Sequence, residues 1–202
     1  SQGVPVIGCK CEVCRSLDYH DKRLRTSVHL ATDDLSLVID TGPDFRQQML
    51  REDVERLDAV IFTHSHKDHT AGLDDVRAYN FLQGMDMPVY AHAKVLDQLK
   101  SEYAYAFEPH SYPGIPRLKL LAITEVPFQI GSTTIIPLPV VHLNMPVYGY
   151  RVGDFSYITD ANAIPAATLQ KLKGTRVLVL NALQKEKHVS HFNLEEAVDM
   201  SR

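Results

Sequence analysis

Short apolar runs alternate along the chain with segments of helical periodicity. The apolar runs are enriched in Val, Ile and Tyr and predict a hairpin over 27–40 and further strands over 57–64, 87–92, 133–142, 148–160 and 175–182. Helical periodicity predicts helices over 44–53, 70–83, 93–107 and 165–173, and a last one starting at Asn193. Since the strands and helices are interleaved and no repeat or long linker divides them, the pattern predicts one α/β domain over 1–202. A proline-rich stretch, 109–116, is predicted to be a surface loop.

Composition and charge exclude several classes of protein. The 202 residues are 45% hydrophobic and 23% charged, as expected for a globular chain with a sizeable core. Apolar runs such as 176–183 are much shorter than the roughly 20 residues of a membrane helix. The net charge is −4, and Lys and Arg are scattered, so there is no basic stripe for a long nucleic acid. We expect a cytoplasmic protein that binds neither a membrane nor a long RNA or DNA.

All three cysteines lie close together near the start of the chain, at Cys9, Cys11 and Cys14. Such tight spacing is difficult to reconcile with disulfide geometry, whereas three thiolates on one turn supply most of a tetrahedral zinc site. The sequence predicts a structural zinc ion here, the alternative being reduced thiols in a surface loop. His20 is the nearest candidate for a fourth ligand, and a residue from far along the chain is an equal alternative.

The segment IFTHSHKDHTAG, residues 61–72, concentrates three imidazoles and a carboxylate behind a predicted buried strand. His64 and His66 are two residues apart, so in extended backbone both rings point to the same side. Asp68 and His69 follow, and a helix beginning near Thr70 would let them face a second metal. Two metals about 3.5–4 Å apart are typical of hydrolytic sites that activate water.

This motif, THSHKDHTAGL, resembles the H-x-H-x-D-H signature of the metallo-β-lactamase superfamily. The flanking segments SQGVPVIGCKCEVCRS, RLRTSVHL and VIDTGPDFRQQML are similar to one branch of it, which includes the phosphoribosyl cyclic phosphate phosphodiesterase. The resemblance covers nearly the whole chain. It implies an αββα sandwich, in which two mixed sheets pack face to face with helices outside.

The resemblance also implies a set of metal ligands. His64, His66 and His142 would bind one divalent ion, Zn or Mn, and Asp68 and His69 a second. Asp160 would bridge the two. His142 and Asp160 each end an apolar run, as the first cluster does. The true β-lactamases of the superfamily commonly place a cysteine near the bridging position, and the absence of cysteine after residue 14 argues against that activity.

Further residues are assigned roles beside the metals. Asp40 resembles a buried aspartate that braces the histidine motif, the alternative being an Asp that caps a turn. His191 begins a pattern similar to that of related phosphodiesterases, in which a histidine protonates the leaving oxygen, and His188 is the weaker candidate for this role. Arg77 and Asn80 follow the metal loop and are candidates for substrate contacts, or else solvated helix residues.

These assignments imply a phosphodiesterase acting on small, possibly cyclic ribose, phosphodiesters. A hydroxide bridging the metals would attack phosphorus, with Asp68 orienting it. The alternatives are a glyoxalase-type thioesterase, a tRNA-processing nuclease and a non-catalytic metal-binding scaffold. Relative to the branch, a first strand is expected before Ser1, and the last metal ligand and the fourth ligand of the cysteine site are expected beyond residue 202. A homodimer is compatible with this fold, although no feature of the chain demands one.

Overall fold

A computed structural model describes residues 2–109 and 112–201. The chain divides into two compact units, Ser1–Ala122 and Ile123–Arg202. The predicted single-domain organisation stays a prediction. His110 and Ser111 of the predicted loop 109–116 lie outside the described residues, and 112–116 form neither helix nor strand. None of the described helices is long and apolar enough to cross a bilayer.

The first unit is built on a five-stranded mixed sheet with the order β1-β2-β3-β4-β5. The predicted hairpin is present, with β1 antiparallel to β2, while β2, β3 and β4 run parallel. Val38, Val60 and Val89 lie in the core cluster of this unit, which explains the continuous apolar runs in the sequence. The bounds of the strands are β1 Val28–Ala31, β2 Ser36–Ile39, β3 Ala59–Ile61, β4 Met87–His92 and β5 Leu118–Ile123.

The helices of the first unit are α1 Glu12–Arg15, α2 Phe45–Arg51, α3 Lys67–Thr70, α4 Arg77–Gln83 and α5 Ala93–Glu102, with 3-10 turns at Tyr19–Asp21, Leu73–Val76 and Ala104–Ala106. The prediction of one helix over 70–83 was wrong. The segment is divided into the end of α3, a 3-10 turn and α4. The break occurs at Gly72, whose amide donates to the carbonyl of Thr41 instead of continuing the helix.

The second unit contains a mixed sheet with the order β10-β9-β8-β7-β6, in which only the β9–β10 pair is parallel. Its helix α7 starts as the sequence predicts: the Asn193 side chain accepts from the Glu196 amide, and Glu196 accepts from the Asn193 amide, which is a capping box. The bounds are β6 Phe128–Ile130, β7 Thr133–His142, β8 Met145–Val152, β9 Phe155–Ile158, α6 Ala166–Leu172, β10 Val177–Leu180 and α7 Leu194–Met200.

Strand β7 is much longer than its neighbour β6, which pairs only with the first three residues of β7. Two prolines, Pro137 and Pro139, stand on the part of β7 that extends past β6. Their carbonyls accept hydrogen bonds from α6 side chains, from Lys171 Nζ at 3.0 Å and from Thr168 Oγ1 at 2.6 Å, respectively. Prolines are tolerated in this strand because it is an edge along this stretch.

Candidate metal centre

In the first unit, the carboxyl ends of β2 and β3 bring Asp40 and the motif histidines together. Asp40 follows β2 with a φ of 65° and its side chain is fully buried. A left-handed backbone is uncommon outside glycine, and Asp and Asn adopt it more readily than most residues. The residue is therefore held in a sparsely populated conformation at the point where the strand ends.

The carboxylate of Asp40 collects three hydrogen bonds. Oδ1 accepts from the Thr63 amide at 2.8 Å, and Oδ2 accepts from Thr63 Oγ1 at 2.7 Å and from His69 Nδ1 at 2.7 Å. Because an ionised carboxylate only accepts, His69 carries its proton on Nδ1 and has a lone pair on Nε2. The Thr63 hydroxyl donates its one proton to Asp40. Its oxygen, 2.9 Å from Nδ1 of His64, therefore accepts a hydrogen bond from that ring. Asp40 and Thr63 thus form a hydrogen-bonded relay that places the proton on Nδ1 of both His64 and His69.

The rings of the motif lie close to one another. The centroid of the His64 ring is 4.6 Å from that of His66 and 4.3 Å from that of His69. His69 Nε2 lies 3.4 Å from Asp68 Oδ2, so two acceptor atoms face each other where a cation would bind both. Burial acts to raise the pKa of Asp68, but when His69 is protonated on both nitrogens its hydrogen bond and charge outweigh burial, and the pKa lies well below its ordinary value.

Close backbone packing holds α3, which carries Asp68 and His69. A Cβ on Gly42 would lie 2.5 Å from the carbonyl oxygen of Asp68, and a Cβ on Gly72 would overlap the carbonyl oxygen of Gly42. Both positions therefore require glycine. The expected helix start near Thr70 was wrong, because α3 begins at Lys67 and contains both Asp68 and His69.

The second unit places His142 and Asp160 at strand ends as well. His142 is the last residue of β7, and its Nδ1 is 2.8 Å from the carbonyl oxygen of Ser190. A carbonyl only accepts, so His142 also has its lone pair on Nε2. Asp160 follows β9 with a φ of 51°, and its Oδ1 accepts from Thr159 Oγ1 at 2.9 Å. Both side chains are buried, with 7% exposed.

His191 lies beside these residues. The centroid of its ring is 4.8 Å from that of His142 and 5.2 Å from that of His188. Burial lowers the pKa of His191; the charge of Asp160 opposes this shift, and His142 and His188 reinforce it. His188 accepts at Nδ1 from the Ser190 amide at 3.3 Å. Together these contacts form a histidine cluster at one end of the second sheet.

The sulfur atoms of Cys9, Cys11 and Cys14 lie within 4.8 Å of one another, and all three cysteines are free. The cluster is formed around α1, whose N-cap is Cys11. Hydrogen bonds donated to its sulfur by the Cys14 amide and by the thiols of Cys9 and Cys14 lower the pKa of Cys11, which favours the thiolate that zinc binds. His20 is not grouped with the thiols. Its Nδ1 pairs with Asp18 at 2.8 Å, but neither ring nitrogen joins the three sulfur atoms within 4.8 Å, so the structure does not bring His20 to the thiols as a fourth ligand.

The two predicted substrate contacts in α4 differ in their surroundings. Arg77 is exposed and pairs with Asp74 at 3.1 Å. Asn80 is only 3% exposed. Its Nδ2 donates to the carbonyls of Met85 and Arg117, and its Oδ1 accepts from the Arg117 amide. The prediction that Asn80 contacts substrate stays a prediction; in the structure its side-chain amide fastens the chain at Arg117.

The donor atoms suit divalent metals in each unit. Neutral imidazole nitrogens and carboxylate oxygens are the ligands of zinc and manganese, and each buried imidazole is fixed by an oxygen partner on its other nitrogen. Sequence reasoning missed two of these partners. Thr63 directly precedes the motif, and its hydroxyl is a signal that was available. The carbonyl of Ser190 is a backbone atom, which no residue type reveals.

Comparisons with known proteins agree with this picture. The β-lactamase superfamily domain matches residues 36–202. The crystal structure of a new diphosphatase from the PhnP family matches this chain with a TM-score of 0.91 and 39% identity, and the match covers 99% of this chain and 76% of that one. A probable metallo-hydrolase of Bacillus subtilis, YybB, is 27% identical over 68% of this chain and 59% of its own length.

An octanoyltransferase of Porphyromonas gingivalis is 43% identical over 98% of this chain, but the match spans only 41% of that protein. The chain therefore spans about two fifths of this curated relative. The predicted fold class, two mixed sheets with helices as in the metallo-β-lactamase fold, is confirmed. The chain belongs to the β-lactamase superfamily domain family.

Proposed function

We propose that the chain is a dinuclear phosphodiesterase acting on small substrates. In this proposal His64, His66 and His142 hold one divalent ion, Asp68 and His69 hold the other, and Asp160 is a ligand of both. The observation that carries the proposal is the hydrogen-bonded relay of Thr63 and Asp40, which presents the Nε2 lone pairs of His64 and His69. The similarity to a PhnP-family diphosphatase supports phosphorus chemistry.

The chain's own residues would contribute binding, orientation and proton transfer. Two divalent ions lower the pKa of a bound water from 15.7 toward about 7 and offset charge on phosphoryl oxygens. Asp68 orients the attacking water, since its carboxylate lies beside the ligand His69. His191 protonates the leaving oxygen. Because burial lowers its pKa, the protonated form needed for this step is depleted as the pH rises.

The proposed substrate is a small phosphodiester, and Zn or Mn the proposed metal. Net charge is −4, which gives no general attraction for a long polyanion. His188 lies near His191 and is a weaker candidate for the same proton transfer. Arg77 is exposed and stays a candidate for contact with an anionic group. We further propose zinc at the cysteines, a cytoplasmic location, consistent with three free thiols, and a homodimer as a compatible assembly.

We do not assign the activity of the octanoyltransferase relative to this chain. Most of that protein lies outside the matched segment, so its transferase activity need not belong to the part that this chain resembles. Acyl and thioester substrates nevertheless belong in the test, because a glyoxalase-type thioesterase is the main competing function.

The proposal is tested by metal analysis and hydrolysis assays on the purified protein. We expect two to three metal ions per chain and turnover of bis(p-nitrophenyl) phosphate that is lost in His66→Ala. A substrate with a P–O–P bridge separates diphosphatase from phosphodiesterase activity. Turnover of a thioester but of no phosphoester contradicts the proposal in favour of the thioesterase. Bound metal with no turnover of either class contradicts it in favour of the scaffold.

A further inference from the structure

The motif helix α3 has little stability of its own. It comprises four residues, Lys67–Thr70, so every one of its carbonyls belongs to the group that an isolated helix end leaves without a partner. Helices this short do not form without outside contacts. Because α3 carries Asp68 and His69, whatever fixes α3 also fixes the relative position of these two proposed ligands.

Part of this fixation comes from the relay and glycine contacts on the side of β2. The other part comes from the end of α5. Tyr103 follows α5 directly, is 8% exposed, and its hydroxyl donates to the carbonyl of Thr70 at 2.9 Å. Glu102 pairs with Lys67 at 2.8 Å. Gln98 donates to the carbonyl of Ser65 at 3.3 Å. The end of α5 and the residue after it therefore contact the motif at three points, Ser65, Lys67 and Thr70.

The three contacts differ in strength. The Lys67 side chain is 64% exposed, so its ion pair with Glu102 contributes little. The bond from Gln98 is long and exposed. The bond from Tyr103 is buried, and its loss would leave the carbonyl of Thr70 without that donor. Of these three residues at the end of α5 and just after it, Tyr103 is thus the one whose loss would most disturb α3.

We propose that Tyr103 is a positioning residue for the metal centre. By holding the last carbonyl of α3, it keeps Asp68 and His69 aligned as a ligand pair. The inference rests on the proposed function only in taking these two residues as ligands, and it concerns metal affinity before it concerns turnover.

The matched test compares Tyr103→Phe with Tyr79→Phe. Tyr79 belongs to the same unit, is 5% exposed, and its hydroxyl donates to the carbonyl of Val54 at 2.8 Å, away from the motif. Both variants remove one buried tyrosine hydroxyl, so we expect each to lower the melting temperature by about 2–4 °C. Stability alone therefore does not distinguish them.

The deciding measurement is a Co²⁺ titration of the metal-free protein, in which the step lost in His69→Ala identifies the α3 ligands. We expect Tyr103→Phe to raise the Kd of that step about five- to tenfold, less than the loss of a direct partner of the ligand. Tyr79→Phe should leave it unchanged. Equal Kd values in the two variants overturn the proposal, as does a wild type without such a step. Normal Co²⁺ binding without phosphoester hydrolysis overturns the proposed function alone.

Discussion

Replacing Asp40 by asparagine should reverse the tautomers of two histidines with little loss of stability. Asparagine tolerates the left-handed backbone of this position, so the change adds no new strain. It replaces one of two acceptor oxygens by a donating amide. If the amide faces Thr63 N–H, that buried donor loses its partner, which costs about 1–3 kcal/mol.

The opposite orientation keeps the Thr63 amide paired and retains the hydrogen bonds to the Thr63 hydroxyl and to both Nδ1 atoms. The new amide then donates to Thr63 Oγ1 and to His69 Nδ1, the two groups that Oδ2 of Asp40 now faces. His69 must move its proton to Nε2. The Thr63 hydroxyl must turn to donate to His64 Nδ1, and that ring changes tautomer as well. We expect this orientation, with a loss of about 1 kcal/mol in the free energy of unfolding, because a charge-assisted bond becomes a neutral one.

Metal affinity should respond far more strongly. In the reversed tautomers Nε2 of both rings carries a proton, so binding requires the proton to move back. We expect Asp40→Asn to weaken Zn²⁺ binding about 10- to 100-fold, measured by competition with a chelator. Nitrogen NMR of the histidine rings in the metal-free protein reports the tautomers directly.

The control is Asp44→Asn. Asp44 also accepts from a backbone amide and a cationic side chain, both on Arg25, but it does not contact a motif histidine. It should lose stability with unchanged Zn²⁺ affinity. The reasoning is refuted if Asp40→Asn keeps protons on Nδ1 of both rings and binds Zn²⁺ as tightly as the wild type.

Three further changes give distinct outcomes. Gly72→Ala forces a Cβ onto the carbonyl of Gly42 and should lower the urea midpoint by more than Gly84→Ala, where the added Cβ meets open space and the cost is only that of a left-handed backbone. Asn193→Ala removes the capping box of α7 and should cost about 1 kcal/mol in urea unfolding, which Asn193→Asp should largely preserve. Burial lowers the pKa of His29 below 6.5 in the folded protein, so the unfolded chain takes up the proton first as the pH falls. The stability that is present above pH 6.5 is therefore lost between pH 6.5 and the lowered pKa of the folded state. The urea midpoint of His29→Gln should change less between pH 7.5 and 5 than that of the wild type, and equal changes would refute the assignment.

Strands with β-branched residues could be predicted from the sequence, whereas strands of mixed propensity could not. The hairpin and the apolar runs of β3, β4 and β7 stand close to their predicted positions. Strand β5 was missed because its sequence, LKLLAI, is composed mostly of residues that favour helices. Short β6 was missed as well, and its three residues acquire strand geometry by pairing with β7.

The helix over 70–83 fails for a tertiary reason. Nothing in its local pattern forbids a helix across Gly72, but the Gly72 amide donates to the carbonyl of Thr41, which lies 31 residues away in the sequence. The contacts of Asn80 could not be predicted from the sequence for the same reason. The position of Asn80 near the metal motif suggested substrate binding. Only the fold reveals that its side-chain amide is hydrogen-bonded to the backbone of Arg117. The motif itself was visible because its candidate ligands are close together in sequence.

The extended part of β7 has a consequence for self-association. A bare strand edge invites pairing with a strand of another molecule, since its amides and carbonyls are available as a template. The part of β7 that extends past β6 does not offer this template. Pro137 and Pro139 have no amide proton to offer, and their carbonyls are engaged by Lys171 and Thr168. A foreign strand approaching here would find neither donor nor acceptor, so the same two prolines that fit an edge also guard it against strand exchange and fibre growth.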